Sequence, residues 1–569
     1  MASPSLCRVP DHDDHGIQWI FPSGPDNEVN VCVACIVGIL EDSDAPLLKK
    51  KVAVAELLGV LSDHTAAMES LLLSDNRVAL HVTNQLLGTL TGEDEEIDNL
   101  SLEGAMQIIR LVKQEDMTFL LFDAVCSEAE KPCSLQKAVP MFSFLSRLLQ
   151  EVPALCQILV QNHGDLIAVL CDALGCGNGV IQCILVGFLL LLFRTVPGHV
   201  FGNQQRHLVW NSVTGCLQQS EDFDVLLCSL GLVKVLAQPG QQCQGLDQPV
   251  LIAAARALRR CLMRKEEALR IASAQSATCL ANAHGSGFSS LLLEQDFAEF
   301  LYEALITTNE VLLSSVFCCL LVLSEADSFF SKCHSVYGIE GVLRAVDQTY
   351  RHQSSSALHQ GMTLLTKLLS GHHGSIPLFS KSGVLEDCLS IIKKGVAYHQ
   401  HTVCLEAARA FVALLSKGHL PQSAPCQPLV AVLQALGERV LRLSTDDTSS
   451  KASTSSSSLR RTSLLELLLR AVQLCCQIGS GHLLEQPPAP GATDQGFNDF
   501  LLIFVETALL PLIEVNKERF SGFGELLDIL QKLYSRCGPP NFRASARHCW
   551  PVTSYSGQLV SVGRPETLS

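Results

Sequence analysis

Cys32 and Cys35 have the C-x-x-C spacing with which many proteins bind zinc. A second C-x-x-C pair at a suitable distance would complete a four-thiolate site, but the sequence contains no second pair. The residues around the two cysteines, VCVACIVGIL, are uniformly apolar, which is typical of a buried helix. We therefore interpret Cys32 and Cys35 as part of a buried helix face and predict no metal site there.

Several histidines fall near predicted turns between residues 356 and 419: His359, His372, His373, His399 and His401. Two of them could approach closely enough to share a metal ion, but no cysteine or carboxylate beside them completes a ligand set. The run from Asp11 to His15 could also hold a metal loosely. We favour exposed turn histidines in the first case and a solvated acidic tail in the second. We predict no metal and no cofactor.

Sequence motifs for catalysis are missing. GCGNG at residues 175–179 lies between two predicted helices, whereas a dinucleotide-binding fingerprint follows a strand. The sequence has no P-loop lysine motif, no HExxH, no GxSxG and no protein-kinase signature. A site assembled from distant residues is an open alternative to which nothing in the sequence points. We predict that the protein is not an enzyme and has no catalytic residues.

Four arginines of one predicted helix form what we call the basic stripe: Arg256, Arg259, Arg260 and Arg264. Arg256, Arg260 and Arg264 recur every four residues and so share a helix face. The stripe could meet an acidic peptide or the backbone of a nucleic acid. Glu266 and Glu267 follow it, and a solvated face with local ion pairs is the favoured interpretation. The basic stripe is nevertheless the candidate partner-binding site of the chain.

Ser463 is a candidate phosphorylation site, because Arg460 and Arg461 precede it in a basic-directed motif. A phosphate on Ser463 would lie at the start of the predicted helix LLELLLR, where the helix dipole favours negative charge. Short motifs of this kind arise often by chance.

Composition limits the kind of partner and the compartment. The formal net charge of −16 argues against nucleic-acid binding across the whole surface. The chain begins without a basic start followed by an apolar run, so we predict that it is not secreted and that its 24 cysteines are reduced and pack as small hydrophobes. The longest apolar run, Cys183–Phe193, is shorter than the ~20 residues that span a bilayer. We predict no membrane partner.

A repeat with a period in the forties organises the chain. Leu323, Leu369 and Leu415 close predicted helices at 46-residue intervals, and Pro153 and Pro197 break helices 44 residues apart. Helical repeats of this length without strands are typical of HEAT and armadillo units. The sequence therefore predicts an all-α fold of the armadillo/HEAT-like α-solenoid class, a superhelix of stacked helical repeats.

Composition shifts divide the chain. We predict a disordered N-terminus at 1–26, armadillo-like helical repeats at 27–443 and a Ser-rich disordered linker at 444–463. C-terminal helical repeats follow at 464–536, interrupted by a Pro-rich linker at 486–496, and 537–569 is predicted to be an unstructured tail. Within the repeats, the stretch from Asp247 to Gln275 predicts one long amphipathic helix, and Ala281–Ser290 a Gly/Ser loop.

Two pairs of segments resemble armadillo-type repeats: SKSGVLEDCLSIIKKG with CLEAARAFVALLS, and YGIEGVLRAVDQ with HQGMTLLTKLLS. The likeness lies in the Gly-apolar helix start, the Ala-rich second helix and the closing Leu-Leu-Ser. The resemblance implies a surface for partner peptides and little more about function.

The Cys/Leu-rich units VFCCLLVLS and AVQLCCQIG are similar to those of the vertebrate meiosis inhibitor protein family. That resemblance implies a large armadillo-like scaffold without catalytic motifs, acting beside the machinery that forms programmed DNA double-strand breaks, and in chromosome synapsis. Because 569 residues is short for the family, we expect a truncated form.

Two functional hypotheses follow. The first is a nuclear, non-catalytic interaction scaffold in meiosis, whose partners are proteins: acidic or helical peptides in the solenoid groove, and meiotic break-forming factors. The alternative is a cytoplasmic helical-repeat adaptor for trafficking, cytoskeletal or chaperone complexes. In neither case do we expect direct nucleic-acid binding.

Overall fold

The computed structural model describes thirteen parts of the chain: residues 15–23, 29–90, 94–112, 115–130, 135–238, 246–330, 339–371, 378–379, 382–416, 419–420, 426–449, 463–475 and 504. The chain divides into two compact units, residues 1–297 and 298–569.

Unit 1 begins with a short β-hairpin. A 3-10 turn, Ile17–Trp19, leads into β1 (Ile20–Ser23), which pairs antiparallel with β2 (Val29–Cys32) in the register Ile20↔Cys32. The helices that follow are α1 (Val33–Glu41), α2 (Leu47–Asp63), α3 (Thr65–Ser74), α4 (Asn76–Gly88), α5 (Glu95–Leu111), α6 (Glu115–Glu130), α7 (Leu135–Glu151), α8 (Ala154–Asn162), α9 (Gly164–Ala173), α10 (Gly179–Thr195), α11 (Asn203–Gln219), α12 (Phe223–Leu236), α13 (Gln248–Leu262), α14 (Glu267–His284) and α15 (Ser286–Glu294). Short 3-10 turns at Leu174–Cys176 and Gly198–Val200 join some of them.

The helices of unit 1 form two layers. In one layer α5, α7, α10, α12 and α14 each pack on the next member, and in the other α4, α6, α9, α11, α13 and α15 do the same. Consecutive helices such as α11 and α12 pack across the layers. Each helix therefore buries its apolar side against both layers, which is how HEAT and armadillo repeats build a continuous core.

Unit 2 has the same two-layer arrangement. Its helices are α16 (Phe297–Ala304), which starts at the last residue of unit 1, α17 (Glu310–Leu323), α18 (Glu340–His352), α19 (Ser355–Gly371), α20 (Ser382–Ala397), α21 (His401–Ser416) and α22 (Cys426–Ser449); residues 463–475 are also helical. One layer stacks α17, α19 and α21, and the other stacks α18, α20 and α22. The fold is all-α of the armadillo/HEAT-like α-solenoid class, as predicted.

Local signals in the sequence start and stop the helices. Asn178 and Asp222, 44 residues apart, each cap a helix: the side chain of Asn178 accepts hydrogen bonds from the backbone of Val180 and Ile181, and that of Asp222 does the same for the start of α12. The predicted breaks at Pro153 and Pro197 are confirmed, since α7 ends at Glu151 and α10 at Thr195.

Hydrogen bonds between repeats report the period directly. Ser276 Oγ donates to the carbonyl of Leu230, 46 residues earlier, at 2.9 Å. In unit 2, Ser314 and Gln360, also 46 residues apart, are joined at 2.7 Å. Gly361 allows a close approach in unit 2, because a Cβ there would lie 2.9 Å from Val346 Cγ2. Equivalent positions of neighbouring repeats therefore meet, and the predicted spacing is confirmed.

The structure corrects three predictions of local order. Residues 15–23, predicted as disordered, form a turn and β1, because Phe21 is buried and its ring lies 5.8 Å from that of His64. Val31 and Cys32, the first residues of the apolar run predicted to be helical, belong instead to the strand β2, as suits its alternating valines. Helix α22 continues to Ser449, past the predicted boundary at 443.

Two predictions near the basic stripe are also corrected. The single helix predicted from Asp247 to Gln275 is two helices, since the charged run from Arg264 to Glu266 forms a turn that lets α13 and α14 pack against each other. The predicted loop Ala281–Ser290 is helical except at Gly285, whose positive φ of 65° separates α14 from α15.

Other predictions fall outside the described residues: those for residues 1–14, 450–462, the Pro-rich linker at 486–496 and the tail at 537–569. Among the helices that the structure describes, none is alone both long and apolar enough to cross a membrane, although Ala154–Asn162 and Gly164–Cys176, bent by 87°, meet those criteria as a pair.

Candidate partner-binding surface

The basic stripe lies on α13, which the sequence positions by its two faces. Asp247 is the N-cap of α13, and Pro249 occupies its first turn, where its missing N–H costs nothing. Ala254, Ala257 and Leu258 are buried, so the small side chains of this face let α13 approach its neighbours α11 and α14 closely. The arginines occupy the opposite side.

Arg260 joins two neighbouring repeats. Its guanidinium donates to the backbone carbonyls of Gln218 and Ser220 at the C-terminal end of α11. The last carbonyls of a helix have no partner inside the helix, and a guanidinium supplies several N–H donors in one plane. Arg260 therefore caps α11 from the next repeat, which is a structural role in addition to its charge.

Glu221 bridges two members of the stripe. Its Oε1 accepts from Arg260 at 2.9 Å, and its Oε2 accepts from Arg264. Arg264 lies beyond the end of α13, so it belongs to the turn and not to the helix. The carboxylate, not helical periodicity, keeps Arg264 beside Arg260. Glu221 is itself largely exposed, so these ion pairs are worth only about 0–1 kcal/mol each.

The arginines remaining in the stripe face outwards. Arg256 is exposed, and in the described part of the chain no ion pair joins it to a carboxylate; Arg259 is half-buried. All four arginines line a surface cavity of about 420 Å³, together with Glu221 and Met263, whose exposed fraction is 56%. Four guanidinium groups thus face one carboxylate beside an apolar methionine. This arrangement can bind carboxylates, and Met263 adds a small apolar contact.

Sequence reasoning missed Glu221, although a signal for it exists. Glu221 precedes Arg260 by 39 residues, close to one repeat period, and equivalent positions of adjacent repeats meet. Glu221 precedes Arg264 by 43 residues, so shifting Glu221 by about one period would have placed it beside Arg264.

The remaining predicted site residues are dispersed. Ser463 is the half-buried first residue of the described helix 463–475, while Arg460 and Arg461 lie outside the described residues, so its phosphorylation stays a prediction. His359 lies within α19 and not in a turn, and His399 lies in the bend that precedes α21. His401 is the first residue of α21, and His372 and His373 are not described.

Buried cysteines carry protonated thiols. Burial raises the pKa of Cys171 and of Cys216 to about 11. Burial also raises the pKa of Cys261, below the basic stripe, to about 11, although the charges of Arg260 and Arg264 act in the opposite direction. A thiol with so high a pKa is a poor nucleophile, which agrees with the interpretation of these cysteines as small hydrophobes.

One group of side chains contradicts the prediction that Cys32 and Cys35 share a buried helix face. Cys32 ends β2 and Cys35 lies in the first turn of α1, and the side chain of His15 meets both sulfurs. The hairpin creates this arrangement, and the sequence analysis missed it because it placed His15 in a disordered tail.

A family model described as "Meiosis inhibitor protein 1 N-terminal domain" matches residues 31–535. Two curated relatives named meiosis inhibitor protein 1 are similar: the Homo sapiens protein at 28% identity and the Mus musculus protein at 26%. Each alignment covers 88% of this chain, which spans 42% of the length of the curated relatives that it matches. A solved structure of an engineered protein is similar at 15% identity with a TM-score of 0.48, over 77% of this chain and 98% of that one.

Proposed function

The chain belongs to the family of the meiosis inhibitor protein 1 N-terminal domain, and from this membership we propose that it acts in meiosis as a non-catalytic interaction scaffold. Its place of action is the nucleus, and the process that it serves is the formation of programmed DNA double-strand breaks together with chromosome synapsis. The family match, which extends over most of the chain, is the observation that carries this proposal.

The fold supports a scaffold. Stacked helix pairs place many solvent-facing helix sides in a row, and such arrays act mainly by binding other proteins. The buried thiols are held protonated, which argues against cysteine nucleophiles at those positions.

The basic stripe is the partner-binding surface in this proposal, and its partner is an acidic protein segment. Glu221 shows how a carboxylate fits between Arg260 and Arg264. Arg256 and Arg259 extend the same cavity, and the exposed guanidinium of Arg256 can bind a further carboxylate bidentately. The exposed part of Met263 offers an apolar contact for a side chain between two acidic residues.

A protein partner suits the charges better than a nucleic acid does. The chain carries a formal net charge of −16, so its long-range field repels a polyanion, and only a local contact is favourable. Nucleic-acid binding depends on many phosphate contacts spread over a basic face. The stripe is one cavity of about 420 Å³, which matches a short acidic peptide.

Complementation of germ cells that lack the protein tests the proposal. We expect the unchanged chain, carried within its complete protein, to restore recombination foci and synapsis, and Arg256→Glu to restore them incompletely. The matched control is Arg344→Glu on α18, which makes the same charge change at another exposed arginine and should restore them fully. Normal foci and synapsis in germ cells that lack the protein, together with its recovery from cytoplasmic complexes in unmodified cells, would favour the adaptor hypothesis instead.

A further inference from the structure

His15, Cys32 and Cys35 bring three metal-binding atoms together at the start of unit 1. The Nδ1 atom of His15 lies 3.6 Å from the sulfur of Cys32 and 3.5 Å from that of Cys35. All three atoms lie within 4.8 Å of one another, and no other group of three or more histidine, cysteine or acidic side chains in the described residues has metal-binding atoms this close. One imidazole nitrogen and two cysteine sulfurs form a mixed ligand set of the kind that zinc prefers.

The distances fit a tetrahedral ion. With a Zn–S bond of about 2.3 Å and a Zn–N bond of about 2.05 Å, a tetrahedral angle places sulfur and nitrogen about 3.6 Å apart. Both observed sulfur–nitrogen distances match this value. Hydrogen bonding explains the arrangement less well, because Nδ1 offers either one proton or one lone pair, according to the tautomer, and so cannot bond both sulfurs equally.

The hairpin explains how residues 17 and 20 positions apart in the sequence come together. Pairing of Ile20 with Cys32 brings the chain before β1 alongside the end of β2. Cys32 is the N-cap of α1, and Cys35 follows in its first turn, so the C-x-x-C bends around one point. The hairpin is also anchored independently of this group, since the carbonyl of Pro22 lies 2.6 Å from Nε2 of His64.

We propose that His15, Cys32 and Cys35 bind a Zn²⁺ ion, with a water molecule as the fourth ligand. Two thiolates and a neutral imidazole balance the charge of the ion, which suits the buried position of Cys32. The ion would tie the residues before β1 to the start of α1. The proposed zinc site therefore fastens the segment before β1 to the first helix of unit 1, and it does not depend on the proposed meiotic role.

Cobalt binding tests the site directly. The intact 569-residue chain is stripped of metal with a chelator under reducing conditions and then titrated with Co²⁺. We expect thiolate-to-cobalt charge transfer and the strong visible absorption of a tetrahedral ion, saturating at one equivalent and lost when Zn²⁺ is added. Absence of charge-transfer absorption would overturn the proposal. Loss of all zinc when the zinc-loaded protein is dialysed would overturn it as well.

Variants locate the ion. We expect His15→Ala and Cys35→Ala each to weaken zinc binding by more than the ~10–100-fold that loss of an outer hydrogen-bond partner costs. The matched control is Cys183→Ala, because Cys183 and Cys228 form another close pair of sulfurs, 4.0 Å apart, without a histidine in the described contacts. Loss of binding in the control but not in His15→Ala would place the ion elsewhere and overturn the assignment.

A measurement on the unchanged chain avoids any question of folding. Zinc should slow alkylation of Cys35 several-fold relative to the metal-free protein, as read by peptide mass spectrometry, while the rate at Cys183 stays constant. Equal rates at Cys35 with and without zinc would contradict the site.

Discussion

Two cavities on comparable helices differ in how their charges are balanced. The basic stripe on α13 has four arginines against the carboxylate of Glu221. The second cavity, about 680 Å³ between α18 and α20, we call the mixed groove; its lining includes Glu340, Asp347 and Asp387 and, as bases, Arg344, Arg351 and Lys394. Each cavity lies where neighbouring repeats meet. The two cavities therefore have the same structural setting and differ in their charged residues.

The mixed groove satisfies its charges internally. Asp347 accepts from Lys394 at 2.6 Å and lies 3.6 Å from Arg351. In the basic stripe, Glu221 forms ion pairs with Arg260 and Arg264. The cavity lining contains four arginines and only this one carboxylate, so its charge is positive. The contrast indicates that packing of repeats accounts for the mixed groove, while the stripe carries charge beyond what packing requires. An excess of one sign is what an oppositely charged partner recognises.

Reversal of the two stripe arginines that do not contact Glu221 should have the largest effect. We expect Arg256→Glu with Arg259→Glu to weaken binding of a labelled Glu/Asp-rich peptide by about 10–100-fold, since each reversal removes an attraction and adds a repulsion worth roughly 1 kcal/mol. Fluorescence anisotropy measures the dissociation constant. The same two changes at Arg344 and Arg351 should alter it by less than about twofold. Equal losses from both pairs would erase the distinction between the cavities.

Removal of the bridging carboxylate should strengthen the stripe. Glu221→Gln leaves Arg260 and Arg264 free of their anionic partner, so we expect the same peptide to bind about 3–10-fold more tightly. Thermal unfolding should show a loss of no more than about 2 kcal/mol, because Glu221 is largely exposed and each of its two ion pairs is worth at most about 1 kcal/mol. A weaker affinity for the peptide would mean that Glu221 positions the arginines for binding and does not compete with the partner.

The mixed groove should bind the acidic peptide weakly when one of its carboxylates is neutralised. Asp347→Asn releases Lys394 and Arg351 from their ion pairs. In a chain whose stripe already carries Arg256→Glu and Arg259→Glu, we expect peptide binding to recover by about two- to threefold. No recovery at low salt would show that local charge balance is not what separates the two cavities.

Thiol reactivity should be low in both regions. Burial raises the pKa of Cys261 to about 11 and that of Cys388, on α20, to about 12. Both thiols are therefore protonated at pH 8, and we expect iodoacetamide to label both far more slowly in the folded chain than in the unfolded one. Unfolded thiols titrate near 9, so the free energy of unfolding should fall as the pH rises through 9 towards 11. Fast labelling of Cys261 alone would mean that the arginines activate it.

Periodic features were the most predictable from the sequence. Leu323, Leu369 and Leu415 mark helix ends at one spacing, because every repeat must end its helix at the same place to stack. Pro153 and Pro197 end helices through their local geometry, so these breaks could also be predicted from the sequence. Where the break between helices comes from packing, as in the charged turn after α13, propensity alone predicts one continuous helix.

The sites were less predictable, because they depend on contacts between distant residues. The arginines of the basic stripe were identified, but the bridge through Glu221 exists only once two repeats are stacked. His15 reaches Cys32 and Cys35 only through the hairpin, whose short strands give a weak sequence signal beside so many helices.

Site-specific photo-crosslinking in meiotic cells tests the central claim most directly. A photoreactive amino acid replaces Arg256 in one version of the protein and Arg344 in another, and mass spectrometry identifies the crosslinked peptides. We predict that position 256 captures an acidic segment of a nuclear meiotic protein and that position 344 captures none. An adduct with that segment at position 344 and not at 256, or adducts at 256 with cytoplasmic proteins alone, would contradict the account.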